Sequence, residues 1–390
     1  METTPVVTGP IVIVGGGIAG AATAWALAAS GAREVTVLER EDQLGAHSTS
    51  KNASILRTLT EHAATTRLAL ETAAFLHAPP AGFSPVPLVD PVGLVLIPAD
   101  PDAPHVAAWR AAKPAGTVRS VDAAELAALA PHIAWRRGAA TRGALLVADE
   151  GHIDTSALLD GLVRAARALG VRFRTGAEVS ALKRSTTGRV EGVRLAGGEP
   201  LAASRVVIAA GGWAGPLARA AGSALEFEPR RRHLLVTAPS DAADRRWPIV
   251  WSEPDGFYVR PESGGLMICA CDQDVVAPDE CGALPEVREQ VARTAARCLV
   301  GFDDAPAAHF WAGLRTFATD DEFAVGPDPD VDGLFWVAGL GGHGMSTSIG
   351  VGRLAAALLR GAPVDPDLAR ALAPERLAPH GLGRSASAGV

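Results

Sequence analysis

The amino-acid sequence predicts an α/β fold in which a Rossmann-like domain is interrupted by segments that build a second domain on a mainly antiparallel sheet. Three observations support this prediction. The chain begins with a strand, a glycine-rich turn, a helix and a second strand. Strands and helices alternate in the same way in two later stretches of the chain. Between those stretches lies a segment of alternating apolar and polar residues, which is typical of antiparallel strands.

The N-terminal unit starts with the apolar residues 11–14, and the glycine-rich residues 15–20 follow directly. Small, helix-compatible residues continue to Ser30, and a second apolar run, residues 34–39, ends in an acid. A strand, turn, helix and strand within about thirty residues predict a βαβ unit. We expect its crossover to be right-handed and its two strands to be parallel.

Prolines between residues 79 and 91 end this alternation of strand and helix. The apolar residues 93–97 then predict a strand. Residues 121–129 predict a helix with Asp122 as its N-cap and Glu125 three residues later. The remaining predicted elements are strands at 144–147, 171–174, 189–195 and 204–210, a helix at 154–169, antiparallel strands within 226–325, and a strand, glycine turn and helix from 334 onward. We expect the strands between 171 and 210 to resume the parallel sheet.

This pattern divides the chain into a discontinuous Rossmann-like domain, a second domain and a tail. The first comprises residues 1–78, 143–225 and 326–375, the second residues 79–142 and 226–325, and the flexible tail residues 376–390.

Composition excludes several classes of protein. At 390 residues and 40.0 kDa, with 48% hydrophobic residues, the chain is too long for one small module and too apolar for a disordered one. Its formal net charge of −7 disfavours nucleic-acid binding. Neither a secretory leader nor an apolar run of the ~18 residues that span a bilayer is visible, so we predict a cytoplasmic protein without a transmembrane segment.

All four cysteines lie within residues 269–298, and we interpret them as core thiols in a reducing compartment. Cys269 and Cys271 do not form a Cys-x-x-Cys motif, and on a strand both thiols would face one side. We predict no metal site.

The glycine turn has the spacing of a dinucleotide site. Gly15 permits a tight turn, Gly17 lets the backbone approach a pyrophosphate, and Gly20 allows close packing of helix and strand. The helix N-terminus offers free N–H donors to phosphates. Glu39 is placed to accept the ribose hydroxyls and disfavours NADP. This fingerprint leaves NAD and FAD open, but the polar residues 45–50 and the second glycine turn at 339–344 favour FAD.

With these features the sequence resembles the D-amino-acid oxidase and dehydrogenase superfamily of FAD enzymes, in particular the bacterial D-arginine dehydrogenase type. The resemblance covers nearly the whole chain. It rests on separated segments that occur in the same order: 15–20, 39–40, 47–49, 79–83, 153–155, 210–213, 230–232, 257–258, 311–317 and 335–347. It implies an FAD domain and a substrate domain whose sheet covers the flavin.

The resemblance also implies site residues. Arg315 corresponds to the family arginine that grips the substrate carboxylate, a role that suits the guanidinium fork. Arg232 corresponds to a second arginine, for which Arg230 and Arg231 compete, and Tyr258 to a tyrosine that faces the carboxylate. The implied contacts to non-covalent FAD are Gly15, Gly17, Ile18, Ala19, Gly20, Glu39, Arg40, His47, Ser48, Thr49, Val179, Ala210, Gly211, Trp213, Gly341, Gly342, Gly344, Met345, Ser346 and Thr347.

Two positions carry open alternatives. His343 either lines the substrate pocket and tunes the protonation of the amine, or forms only local hydrogen bonds. His47 is interpreted as a structural or flavin-phosphate contact, with a proton carrier as the alternative. Relatives that tether FAD covalently use an early histidine or a late cysteine. Here Lys51 stands at the early position, and no cysteine follows Cys298.

Departures from the family pattern concern the substrate. Leu94 replaces the acid that pairs with a guanidinium substrate, and Arg57 enters where the family has a small hydroxyl residue. Thr60, His343 and Ser346 replace two tyrosines and a glutamine. We therefore expect an amino acid with a neutral or acidic side chain.

The expected reaction is transfer of the Cα hydride of a D-amino acid to flavin N5, giving an imino acid that hydrolyses to a 2-oxo acid and ammonia. Two alternatives keep the FAD chemistry: oxidation of a secondary amine or N-alkyl glycine, and an imine-forming step on a larger metabolite. Two others change the class of protein: an NAD-dependent dehydrogenase and a redox-silent assembly protein. The electron acceptor stays open between oxygen, a quinone and another partner.

Overall fold

The computed structural model describes residues 9–135, 143–302 and 304–378. A six-stranded sheet forms one half of the molecule, and strand Ile11–Val14 lies near the centre of this sheet. Five strands run parallel and the edge strand at 324–327 is antiparallel to its neighbour. In spatial order the strands are Ala324–Pro327, Leu334–Ala338, Arg205–Ile208, Ile11–Val14, Val35–Leu38 and Arg172–Arg174. The predicted βαβ unit is confirmed.

A nine-stranded, mainly antiparallel sheet forms the second half. Its strands, in spatial order, are Leu340–Gly341, Ala307–Ala318, Phe227–Thr237, Gly265–Cys269, Phe257–Glu262, Ile249–Ser252, Leu94–Ile97, Leu145–Val147 and Val118–Ser120. Among the described strands of this sheet, only Leu94–Ile97 and Ile249–Ser252 pair in parallel. The predicted fold class, a Rossmann-like domain joined to a mainly antiparallel substrate sheet, is confirmed.

The helices pack on these sheets and carry the apolar faces that the core needs. They are Ile18–Ala29, Ala63–His77, Pro104–Ala111, Ala123–Leu129, Thr155–Ala168, Ala214–Ala221, Pro285–Cys298, Ser348–Arg360 and Pro366–Leu372, with short 3₁₀ turns at Gly211–Trp213, Pro278–Glu280 and Pro374–Leu377. The Asp122 carboxylate accepts the backbone N–H groups of Ala124 and Glu125, as the sequence predicts. None of the helices in the described ranges combines the length and apolar character needed to cross a bilayer.

Three assignments from sequence need correction. Val190–Leu195 does not extend the parallel sheet: it is the middle strand of a separate antiparallel sheet with Val179–Arg184 and Pro200–Ala202. Leu145–Val147 and Leu340–Gly341 belong to the nine-stranded sheet, although we placed both segments in the first domain. Strand periodicity identifies a strand but does not identify its partner, which long-range packing decides.

The C-terminal segment is ordered as far as the structure describes it. The turn Pro374–Leu377 packs beside the edge strand Ala324–Pro327. Arg376 Nε donates to Asp320 Oδ2 at 2.7 Å. The predicted flexible tail therefore does not begin at 376, and its residues 379–390 lie outside the described part of the chain.

Candidate active site

A cavity of about 620 Å³ runs between the two sheets. One end is lined by the glycine turn after Ile11–Val14 and by the 3₁₀ turn Gly211–Trp213. The other end is lined by side chains of the nine-stranded sheet. The carboxyl ends of parallel strands open onto this cavity, the usual position of a ligand in an open α/β sheet.

The glycine turn has no room for side chains at two positions. Gly15 has a φ of 110°, and a Cβ there would lie 2.4 Å from the Ala209 carbonyl oxygen. A Cβ on Gly20 would lie 2.0 Å from the Gly15 carbonyl oxygen. Helix Ile18–Ala29 therefore begins in close contact with the end of strand Ile11–Val14, and its N-terminus is directed at the cavity. Free N–H groups and the positive end of the helix dipole suit a pyrophosphate.

Two buried side chains hold this turn in place. Glu39 Oε2 accepts the Gly16 N–H at 2.8 Å, and Oε1 accepts the Glu41 N–H at 3.0 Å. The Thr49 hydroxyl accepts the Ile18 N–H at 3.0 Å. Each carboxylate oxygen has a second lone pair, so Glu39, which lines the cavity, can also accept a ribose hydroxyl.

Arg40, His47 and Trp213 surround the same end of the cavity. The Arg40 guanidinium lies 4.3 Å from the centre of the Trp213 ring, and the His47 ring lies 4.5 Å from it. His47 Nε2 contacts Glu41 Oε1 at 2.8 Å. Asp279, from the opposite half of the molecule, accepts hydrogen bonds from both Arg40 and Trp213.

The structure brings most of the sequence-predicted cofactor residues together at the cavity. The exceptions are Gly20 and Thr347, which do not line it. Gly20 acts through the close packing described above. Thr347 is fully buried and its hydroxyl donates to the His343 carbonyl oxygen at 2.8 Å. Residues on the wall are Gly15, Gly17, Ile18, Ala19, Glu39, Arg40, His47, Ser48, Thr49, Val179, Ala210, Gly211, Trp213, Gly341, Gly342, Gly344, Met345 and Ser346.

At the other end, Arg232 and Arg315 project from neighbouring strands of the nine-stranded sheet. Arg232 pairs with Gly313, two residues before Arg315, so the two side chains share one face. Arg232 Nε donates to the Asp272 carbonyl oxygen at 2.7 Å, and Arg315 Nη1 donates to its neighbouring Leu314 carbonyl oxygen at 3.1 Å. Both are more than nine-tenths buried, and neither has a carboxylate within 4 Å in the described part of the chain.

The three consecutive arginines of this strand go to different places. Arg230 Nε donates to Glu228 at 2.6 Å, and Arg231 Nη1 donates to the Gly282 carbonyl oxygen at 3.2 Å. Of the three, Arg232 alone lines the cavity.

Tyr258 forms part of a stack of three side chains. Its ring lies 4.6 Å from that of Trp251, and the Arg57 guanidinium lies 4.6 Å from the Trp251 ring. Burial raises the pKa of Tyr258 well above its usual value, with Cys269 adding to the effect, so the phenol remains protonated. All three side chains line the cavity.

Arg57, unlike Arg232 and Arg315, is paired with carboxylates of the protein. Its Nη2 contacts Glu61 Oε1 at 2.9 Å and Glu253 Oε1 at 3.0 Å. Burial would raise the pKa of Glu61, but Arg57 lowers it to about 2. Burial raises the pKa of Glu253. The cluster therefore holds one guanidinium between an ionised carboxylate and a second acid.

His343 also lines the cavity. Burial lowers its pKa to about 4, and the nearby positive charge of Arg57 acts in the same direction. The imidazole is therefore neutral at physiological pH.

Sequence reasoning missed several residues of the cavity wall, among them Trp251, Gln273 and Asn52. Trp251 lies on strand Ile249–Ser252, within the segment 226–325 for which we predicted antiparallel strands without individual bounds. The other two lie outside strands and helices, where the sequence carries no periodic signal.

Comparisons with known proteins agree with this geometry. Residues 10–358 match the family model described as DAO, FAD dependent oxidoreductase. The chain is 32% identical over 245 residues to a D-amino acid dehydrogenase of Xanthobacter autotrophicus, covering 61% of this chain and 56% of the relative. It is 27% identical over 237 residues to a 4-methylaminobutanoate oxidase (formaldehyde-forming) of Paenarthrobacter nicotinovorans, covering 57% and 28%.

The chain spans about half the length of the first curated relatives it matches. Among solved structures, a glycine oxidase from Geobacillus kaustophilus superimposes with a TM-score of 0.77 at 24% identity, covering 96% of this chain and 99% of the other, which shows a shared fold. The family match covers most of the sequence, and the glycine turn, Glu39 and the second glycine turn fit the dinucleotide it implies. The chain belongs to the DAO family of FAD-dependent oxidoreductases.

Proposed function

We propose that this protein oxidises the Cα–N bond of an amino acid with a neutral side chain, D-configured as in the D-amino acid dehydrogenase to which it is similar. The observation that carries the proposal is the pair of buried guanidinium groups, Arg232 and Arg315, that face the cavity with no carboxylate within 4 Å in the described part of the chain. A buried charge is stable only when it is paired, so these groups fit an anionic ligand.

Each side chain has a distinct part in this proposal. Bound FAD supplies the acceptor for the two electrons of the oxidised bond, held without a covalent link. Arg315 and Arg232 bind the substrate carboxylate, and the protonated Tyr258 donates a hydrogen bond to it. Holding the carboxylate at two or three points fixes the position of Cα relative to the cavity wall.

The charge of the Arg57 cluster supports a neutral substrate side chain. Leu94 is fully buried in the nine-stranded sheet and offers no acid to a cationic side chain. Arg57 already has Glu61 and Glu253, so it offers an acidic side chain little net attraction. The Trp251 ring presents an apolar surface beside it.

The test is Arg315→Met, compared with Arg230→Met as a matched control on the neighbouring strand. Arg230 is already paired with Glu228 and does not line the cavity. We expect kcat/KM of Arg315→Met to fall about 100-fold or more, because charged hydrogen bonds worth about 3 kcal/mol are lost. FAD content is expected to stay at the wild-type level in both variants.

Equal activities of the two variants would remove Arg315 from the carboxylate site. Anaerobic bleaching of the flavin by a panel of D- and L-amino acids, with N-methyl amino acids included, then identifies the substrate. Best turnover of arginine or lysine contradicts the neutral side chain. Best turnover of an N-methyl compound favours the secondary-amine alternative, in line with the name of the second relative.

A further inference from the structure

Two cysteines lie directly behind the substrate end of the cavity, and the proposed reaction does not use them. Cys269 is the last residue of strand Gly265–Cys269 and pairs with Tyr258 on the neighbouring strand. Cys271 follows two residues later, and its backbone N–H donates to the Cys269 sulfur at 3.3 Å. Neither forms a disulfide in the structure.

The backbone brings the second cysteine back toward the first. Spacing alone predicts two thiols side by side on one strand, but the strand ends at Cys269. Cys271 has a φ of 52°, a left-handed conformation that folds the chain back. In this turn the Cys271 backbone N–H faces the Cys269 sulfur. They are therefore a local thiol pair rather than separate core residues.

The surroundings of this pair favour a thiolate. Burial would raise the pKa of Cys269, but the hydrogen bond from Cys271 and the positive charge of Arg232 lower it to about 6. Thiolates, rather than thiols, react with peroxides. Cys298 offers the contrast within the same chain, since burial raises its pKa to about 11.

Access comes from the cavity and from the half-buried Cys271. Cys269 itself has no exposed surface, but its neighbours Tyr258 and Arg232 line the cavity. Cys271 is partly exposed at the end of the strand. Because Cys269 is fully buried, we expect a small neutral oxidant to reach it more readily than a bulky alkylating reagent does.

We propose that Cys269 and Cys271 form a peroxide-sensitive modification site behind the substrate clamp. The Cys269 thiolate attacks one oxygen of hydrogen peroxide, giving a sulfenic acid and hydroxide. The Cys271 thiol then attacks that sulfur, forming the Cys269–Cys271 disulfide and releasing water. The two thiols lose two electrons and the peroxide gains them. The disulfide product carries no negative charge beside Arg232. This oxidation does not depend on which amine the enzyme oxidises.

The test uses the reduced, FAD-bound protein freed of reductant and treated with hydrogen peroxide at neutral pH. After denaturation and alkylation of the remaining thiols, cleavage before Asp272 separates this pair from Cys281 for mass spectrometry. We expect the peptide that contains Cys269 and Cys271 to lose two hydrogens and to escape alkylation. Its oxidation is expected to be at least about tenfold faster than that of Cys298, and dithiothreitol is expected to reverse it.

Variants identify each sulfur. Cys271→Ser is expected to stop at a Cys269 sulfenic acid that dimedone traps, whereas Cys269→Ser is expected to give neither product. Cys298→Ser is the control and is expected to behave as the wild type. Complete alkylation of Cys269 and Cys271 after peroxide, a disulfide to Cys281, or faster oxidation of Cys298 would each overturn the proposal. The wild-type measurement stands even if a variant does not fold.

Discussion

At the scale of single residues, the buried arginines differ in whether the protein supplies a carboxylate partner. Arg57 is paired with Glu61 and Glu253, and its remaining Nη1 has no hydrogen-bond partner within the described ranges. Within the described ranges, Arg232 and Arg315 have no carboxylate partner and donate hydrogen bonds to backbone carbonyls. Because desolvating a charge is costly, these two groups indicate where an anionic ligand binds.

Neutralising Glu61 is expected to change the side-chain preference. Glu61→Gln keeps a hydrogen-bond acceptor but leaves Arg57 with excess positive charge at the cavity wall. The ratio of kcat/KM for D-glutamate over D-leucine is expected to rise about tenfold, which corresponds to about 1.4 kcal/mol. Glu71→Gln, which removes a surface partner of Arg353, is the control. An unchanged ratio would show that Arg57 does not face the substrate side chain.

His343 yields a prediction about pH dependence. Since burial lowers its pKa to about 4, the folded ring binds a proton less tightly than an unfolded one, and it is neutral throughout the neutral range. Any change in kcat/KM between pH 6 and 9 therefore belongs to another group, such as the substrate ammonium. We expect His343→Gln to leave the midpoint of that change within about 0.3 pH units of wild type. A larger shift, or loss of the pH dependence, would assign the titration to His343.

At the scale of elements, the 3₁₀ turn Pro278–Glu280 reaches across the mouth of the cavity. Asp279 Oδ1 accepts from Arg40 Nη1 and Nη2 at 3.2 Å and from Trp213 Nε1 at 3.0 Å. Arg40 and Trp213 line the dinucleotide end of the cavity, whereas the turn connects elements of the opposite half. This contact therefore ties the two halves together beside the dinucleotide end of the cavity.

Removing this tie is expected to speed release of FAD. Asp279→Ala removes an exposed ion pair and a hydrogen bond, together worth about 1 kcal/mol, so the dissociation rate is expected to rise two- to fivefold. Stopped-flow recovery of flavin fluorescence measures this rate. Glu289→Ala, which removes the exposed partner of Arg293 far from the cavity, should release FAD as the wild type does. Identical rates in Asp279→Ala and the control would show that the turn does not retain FAD.

At the scale of the whole molecule, the site exists because the chain crosses between the two sheets several times. The glycine turns and Glu39 come with the six-stranded sheet, and Arg232, Tyr258 and Arg315 come with the nine-stranded sheet. Arg57 comes from a loop between them, next to the two-residue strand Ile55–Leu56. Neither sheet alone encloses the cavity.

The sequence by itself determined the βαβ unit, the glycine turn and the class of cofactor, because these depend on local spacing and on backbone room that only glycine leaves. The tertiary structure alone decided which strands pair, that Arg232 rather than Arg230 or Arg231 faces the cavity, and that Glu61 and Glu253 neutralise Arg57. It also folded Cys271 back onto Cys269. The physical reason is that ion pairing and burial depend on residues distant in sequence, whose approach no local pattern records.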